Sequence, residues 1–565
     1  MTKKSKITTG KLILLICILP FLSSAQGVLN SGQIHGSFQM DAQFYVEDSL
    51  IGAEKVPENV LMNAFANILY TNGDFSAGFR FESYQHLMKG FVGELKGNGI
   101  PYRFASYKTD ELKVTIGNFY DQFGTGLIFR AYQDWNLGLD NSVDGLHLQY
   151  QLAKGITLKG LIGNQRYYFE KSDGIVRGAD AEFAFNEMFP SWADNKARFT
   201  IGGSFISKFQ EDDSPIYNLP ENVAAFAGRM NFSCGKINFL GEYAYKMNDP
   251  SLVNNYIYKP GEALYVSTSF SQKGLGISLS GKRIDNMSFR SDRGMTGMPL
   301  MINYLPALSK QHIYTLASFY PYSTQPNGEM GMQAELTYNL KKKSALGGKY
   351  GMDISVNYSR TGAIQKSKVN DTIAIDQTGT LGYKSKFFAV GDDLYQNDFN
   401  IGISKKLSKN FQIELLYSYQ IFNIWVVQGH KADDTTGANL VYANVAAADL
   451  IYKLKNKKSI QLELQHLSTK KDQGSWAMAM LQYTIAPKWT FTIQDMYNYG
   501  NEKVDDFGEK EPKIHYYTMT VAYIKNTNRF AITYGKQREG MFCAGGVCRV
   551  VPASNGISFS IMSSF

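Results

Sequence analysis

Little in this sequence points to a water-soluble enzyme. Of its 565 residues only 4 are cysteine and 15 are proline. Beyond the N-terminal leader no apolar run approaches the roughly 20 residues of a membrane-crossing helix. The seven histidines, His35, His86, His147, His312, His430, His466 and His515, include no pair at metal-ligand spacing. No Gly-x-Ser-x-Gly elbow exists, so no catalytic residue, metal or cofactor is expected. A barrel hydrolase stays as a third option, because triad residues need not be neighbours in sequence. Gly124-Thr-Gly126 is too short a signal for a nucleotide site, and no helix pattern follows it. The formal charge of +8 falls to +4 without the four lysines of the leader, which is too mild to indicate nucleic acid. No linker or change of composition divides the chain, although a soluble two-layer β-fold of this length should split into domains.

What is present begins with an export signal. Lys3, Lys4, Lys6 and Lys11 precede the apolar stretch Leu12 to Leu22 and the small residues Ser23-Ser24-Ala25. A basic region, a short apolar core and a small-residue site read as a signal peptide over 1–25, cleaved after Ala25. Cys17 lies inside it, and the bulky Ile16 argues against a lipoprotein site. Residues 26–565 are then one domain.

That domain is built on a period of two. In Ile34 to Phe44 the residues Ile34, Phe38, Met40, Ala42 and Phe44 share one face; His35, Ser37, Gln39, Asp41 and Gln43 share the other. The pattern returns in Phe75/Ala77/Phe79/Phe81, Phe411/Ile413/Leu415/Tyr417 and Ile460/Leu462/Leu464. Tight turns separate the runs, at 72–74, 109–111, 153–155, 234–236, 272–274, 408–410, 455–457, 486–488 and 526–528, with looser ones near 190–196 and 341–348. Longer polar segments lie between them: 46–60, 85–98, 121–145, 210–221, 248–261, 285–328, 360–394, 421–438, 500–513 and 539–555. Short turns at one end, long loops at the other and strands of about ten residues predict an all-β, transmembrane, antiparallel up-and-down β-barrel. Eleven turns give twelve hairpins, hence about 24 strands (22–26), with short periplasmic turns and long extracellular loops. The segment 285–328 could hide one more hairpin, since His312–Tyr320 also alternates.

The alternation turns Arg80, Glu82, Arg198, Arg229, Glu242, Glu335, Glu414 and Glu463 into the lumen. Both signs are present, so no single-sign selectivity ladder is expected, and these read as water-facing charges of a wide barrel. Lysines at the turns, such as Lys341 to Lys343, either meet anionic headgroups or keep the turns soluble. The last strand ends Gly556-Ile-Ser-Phe-Ser-Ile-Met-Ser-Ser-Phe565. An apolar face carrying Phe559 and Ile561 and closing on Phe565 resembles the C-terminal strand that outer-membrane assembly machinery reads; a last sandwich strand ending in Phe is the other reading.

Three cysteines remain after the leader. Cys543 and Cys548 enclose Ala-Gly-Gly-Val and are candidates for a disulfide after export, ahead of a metal pair. Cys234 falls at a turn and is expected to be an inert thiol. The densest local text is Gly117 to Gly145, rich in glycine and paired charge. Its Tyr120, Arg130, Asp134, Asp140 and Asp144 are the candidate constriction loop, with the acidic residues and Arg130 able to pair among themselves. The alternative is a compact external loop.

That run, with Tyr304-Leu-Pro-Ala-Leu-Ser-Lys-Gln-His312, Tyr320-Pro-Tyr-Ser-Thr-Gln-Pro-Asn-Gly-Glu329, Thr469 to Trp476 and Cys543 to Pro552, resembles an uncharacterised outer-membrane family of the Bacteroidota, a domain of unknown function. The resemblance covers nearly the whole mature chain. It implies a barrel in the cell outer membrane and carries no activity. The expected partners are outer-membrane lipid, the assembly machinery and a protein subunit of an outer-membrane complex. The expected function is a porin-like channel for small hydrophilic solutes; a non-transporting scaffold is the alternative. Only a short stretch separates the cleavage site from the first strand, which argues against a plug domain of the energised-transporter kind.

Overall fold

The computed structural model describes residues 32–429, 439–502, 509–544 and 547–565. The expected signal peptide 1–25 and His430 lie outside the described residues.

Twenty-four strands form one antiparallel sheet. Each pairs with the next in sequence, and the last, Ser554–Ser564, pairs back onto the first, Gln33–Tyr45. The sheet is therefore a closed barrel with no free edge, the arrangement that satisfies every ladder group in hydrocarbon. All eleven expected turns join consecutive strands at one end, called here the turn end. Asn72-Gly73-Asp74 shows why such turns are tight: Gly73 adopts φ +54°, which a side chain resists.

The period of two sets the two faces. Phe79, Ile116, Leu415, Tyr417, Ile493 and Phe559 stand exposed on the outside, forming a surface suited to lipid. Cross-strand register keeps the inside polar: Glu414 lies opposite Asp449, and Asp449 opposite Glu463.

The loop end departs from expectation in three places. Tyr167 and Glu170 bound a tight connection rather than a long loop, and only residues 469–475 join Lys458–Ser468 to Trp476–Ile485. The expected loop 360–394 is mostly strand: Met352–Ser367 and Lys384–Lys406 form an extended hairpin with repeated register shifts. The alternating stretch His312–Tyr320 is not a hidden strand. It carries a 3-10 turn at Leu316–Ser318, and Tyr314, Leu316, Phe319 and Tyr320 pack on the barrel wall from within, while Ile313 stays exposed.

Candidate functional site in the barrel lumen

The segment 120–142, between Leu112–Phe119 and Val143–Ala153, folds inward. Phe123, Leu127, Ile128 and Phe129 are fully buried. They pack on a patch where the inner wall is apolar instead of polar, made by Leu161, Val176, Ile206 and Val223 among others. Each buried side chain of this size contributes about 1.5–3 kcal/mol relative to exposure. Gly124, at φ +53°, lies against the Glu242 carboxylate, where a Cβ would collide. Glu242 also accepts a hydrogen bond from the Thr125 N–H at 2.6 Å.

The segment 286–328 spans the lumen. Its first part puts Met287, Phe289 and Ile302 into the same apolar cluster. Its later part puts Tyr314, Leu316, Phe319 and Tyr320 into a second cluster, against Val441, Val445, Trp476 and Met478 of other strands. Ile51 and Val56 from the first loop join that second cluster. The two inward segments are tied to each other by backbone. Arg130 N–H donates to Ile302 O at 2.9 Å, Tyr304 N–H to Gly126 O at 2.9 Å, and the Asn303 amide to Leu127 O at 3.1 Å. The Arg130 guanidinium lies between the rings of Tyr132 and Tyr304, at 4.3 and 4.1 Å. A stacked guanidinium of this kind contributes about 0.5–2 kcal/mol.

Ion pairs fix the segments to the wall. Arg166 grips Glu82 through Nη1 at 2.9 Å and Nη2 at 2.6 Å, and its Nη1 reaches Asp140 at 2.6 Å. Arg80 bonds the same two carboxylates. Tyr120 donates to Asp140 at 2.9 Å. Two guanidinium and two carboxylate groups thus balance within the protein. Burial pushes the Asp140 carboxyl upward, but Arg166 and Arg80 overcome it and hold the group below the usual carboxylate range. Asp121 behaves alike: burial raises it, while hydrogen bonds from His147 (2.9 Å) and Lys159 (2.7 Å) win and lower it. Further along, Lys208 pairs with Asp249 at 2.8 Å, and Lys282 pairs with Glu329.

Of the candidate loop residues, Tyr120 and Asp140 pair, but the charged four, Arg130, Asp134, Asp140 and Asp144, do not pair among themselves. Asp140 goes to Arg80 and Arg166 of the wall, and Asp144 to Lys171 (2.8 Å) and Arg103 (3.6 Å). Asp134 accepts from the backbone N–H groups of Asn136 and Leu137, and Arg130 stacks on tyrosines. The reason is reach: wall strands present cations closer to Asp140 and Asp144 than the loop itself does. Sequence reasoning missed Arg166, because parity with the exposed Ile162 assigns it the outer face. The inward charges also divide. Arg198 and Glu335 are exposed, whereas Arg80, Glu82 and Glu242 are buried by the inward segments rather than facing water.

Cys543 and Cys548 form a disulfide across the ribbon Gly540–Ala544/Val547–Val551, and Cys234 is free and exposed. On the same stretch of chain, the Arg538 guanidinium stacks 3.5 Å from the Phe319 ring. Phe559 and Ile561 lie opposite Ala42 and Met40 at the closing seam, and Phe565 exchanges backbone bonds with Gly36 at 2.9 and 3.0 Å. Among the described residues no group of three or more His, Cys, Asp or Glu is placed to hold a metal ion.

Among the described residues, three of the cavities that adjoin the inward segments are large enough to matter here. One of about 540 Å³ lies toward the turn end, between Gln272, Asn339 and Asp353 of the wall and Lys310–Tyr314. Another, of about 210 Å³, lies toward the loop end between Lys310–His312, Tyr322, Asp398 and Phe542. A third, of about 570 Å³, opens at the loop end beside Tyr84, Phe91, Trp135, Arg166 and Arg549.

The model of a family of unknown function (DUF6029) matches residues 5–565. No curated protein matches the chain. Among solved structures, the P pilus usher (PapC) translocation pore aligns with TM-score 0.40 and 8% identity, over 94% of this chain and 99% of that one. The ferric enterobactin receptor PfeA of Pseudomonas aeruginosa gives 0.43 and 10%, over 94% and 81%. OmpF of Salmonella typhi gives 0.30 and 12%, over 69% and 97%.

Proposed function

The chain belongs to the family of unknown function DUF6029, and from that premise we propose that it is an outer-membrane channel for small hydrophilic solutes, narrowed by its own loops. The turn end faces the periplasm and the loop end faces out, after export on the leader 1–25. The observation that carries this reading is the pairing of an apolar outer face with a polar inner one, while segments 120–142 and 286–328 occupy the space between. Tyr120, Arg130, Asp134, Asp140 and Asp144 belong to the narrowing, most of them by anchoring it. Phe559, Ile561 and Phe565 serve as the assembly signal, and the loop motifs support an origin in the Bacteroidota. Purified protein in planar bilayers gives discrete conductance steps on this reading; a sealed barrel contradicts it.

A second reading is supported by the two apolar clusters, which bind the inward segments to opposite walls. Held that firmly, the barrel is a non-transporting subunit of an outer-membrane complex, its loops binding another protein. A stoichiometric co-purifying partner with no conductance decides for it.

A further inference from the structure

The inner wall is not uniform around its circumference. The apolar clusters occupy two sectors, one on the strands between Leu112 and Asp285, the other on those between Phe411 and Tyr516 and, past the closing seam, on Gln33–Tyr45 and Val60–Asn72. Between them a polar stretch of inner wall runs from the turn end up to the small apolar cluster of Ile257, Ile364 and Tyr383 at the loop end. The inward positions of Met352–Ser367 are Asp353, Ser355, Asn357, Ser359 and Thr361; those of the neighbouring Lys384–Lys406 include Gln396, Asp398, Asn400 and Ser404. Ser418 and Gln420 of Phe411–Asn423 continue it. The crossing segment covers this sector, leaving Asn357, Ser359, Thr361, Asp398, Asn400 and Ser418 almost fully buried.

Several of these groups find no protein partner. Asn357 Nδ2, Ser359 Oγ, Thr361 Oγ1, Gln396 Oε1, Asn400 Oδ1 and Gln420 Oε1 all lack one. Buried polar groups are rarely left unsatisfied, and a run of six in one crevice is where water bonds. The turn-end cavity and the smaller loop-end cavity meet this crevice from opposite sides, and both are lined by Lys310, Gln311 and His312. His312 is held to the wall by Asp398 at 2.6 Å, and Asp398 also accepts from Asn400 and Ser418 at 3.1 Å.

We propose that this crevice is a hydrated seam and the path by which small cations cross the barrel, with the His312–Asp398 contact as its closing point. The inference rests on the channel reading above and assigns it a location and a solute class. The charge follows from the wall: Asp353, Asp398 and Glu414 face inward on these strands and Glu335 on the adjoining Glu329–Leu340, against Lys406 at the turn-end mouth and Lys310 on the covering segment. Carboxylate-lined paths favour cations.

The test uses the full chain with Cys234→Ser, reconstituted in lipid, the native disulfide intact. Ser359→Cys and Asn400→Cys report the seam; Ala225→Cys, in the apolar cluster, is the reference. Unchanged heat-dependent gel mobility certifies each barrel. A cationic methanethiosulfonate is expected to label both seam cysteines roughly ten-fold or more faster than Ala225→Cys, to outpace its anionic counterpart, and to speed up again when His312→Ala is added. In planar bilayers the same labelling at Asn400→Cys reduces the conductance step. Seam cysteines as slow as Ala225→Cys, in a protein that still conducts, overturn the seam and leave the channel reading standing. Steps that labelling at Asn400→Cys leaves untouched overturn the path. The absence of steps in every variant overturns the channel reading and the path together.

Discussion

Arg166 and Asp140 meet at 2.6 Å, one from the barrel wall and the other from the segment that folds into its lumen. The same guanidinium is bound to Glu82, so the wall supplies both the cation that attracts the segment and the carboxylate that keeps that cation in place. Removing Asp140 leaves Arg80 and Arg166 buried with one carboxylate between them. Asp140→Ala is therefore expected to destabilise the inward segment by about 3–5 kcal/mol. Limited proteolysis within 120–142 measures it: cleavage should accelerate strongly while the barrel stays folded. An unchanged cleavage rate contradicts the role given to Asp140.

The pH dependence follows from the same carboxylates. Asp140 and Asp121 sit below the ordinary carboxylate value in the folded protein. Their contribution is fully present above the unfolded value near pH 4 and is lost as pH falls through the lower folded values. Protection of 120–142 against proteolysis, scaled at each pH to cleavage of an unfolded substrate by a protease active there, should be flat from about pH 8 to 5 and fall steeply below about 4. Loss of protection in the neutral range contradicts this assignment.

Arg130 tests stacking against charge. Arg130→Lys keeps the cation and loses the planar group between Tyr132 and Tyr304. A double-mutant cycle with Tyr304→Ala should give a coupling of about 0.5–2 kcal/mol, read from the exchange of the Tyr304 and Arg130 backbone amides. Additive effects place the contact outside the binding of the two segments.

The periodic part of the fold was legible and the aperiodic part was not. Alternation in Phe411/Ile413/Leu415/Tyr417 is imposed by lipid on one side and water on the other, so it appears directly in sequence. The eleven turns are legible because each needs residues such as Asn72-Gly73. The crossing segment has no such period: Phe289, Ile302, Leu316 and Phe319 are buried against wall residues far away in sequence. Its one legible trace, alternation over His312–Tyr320, arises from a chain that packs side chains on a wall without joining a ladder. The wall holds a subtler trace. Val176, Ile206, Val223, Val441 and Val445 are apolar at positions where parity demands the lumen, which marks where something apolar must be lying. Pairing in the candidate loop was not legible, because the partners of Asp140 come from strands on either side of it.

Ile302 fastens the two inward segments together and lies in the same apolar cluster as Phe123 and Phe129, fully buried. Ile302→Ala should cost about 2–5 kcal/mol of segment stability. On the channel reading it raises the frequency of large conductance steps. A variant indistinguishable from wild type in both proteolysis and conductance contradicts the packing described.

The central claim is that a wide barrel is narrowed by chain from its own loops, and single-channel recording addresses it most directly. Full-length protein should give small discrete steps, and a variant with 287–327 replaced by a short glycine-serine linker should give steps many times larger. Equal conductance in the two proteins, whatever its size, contradicts the account.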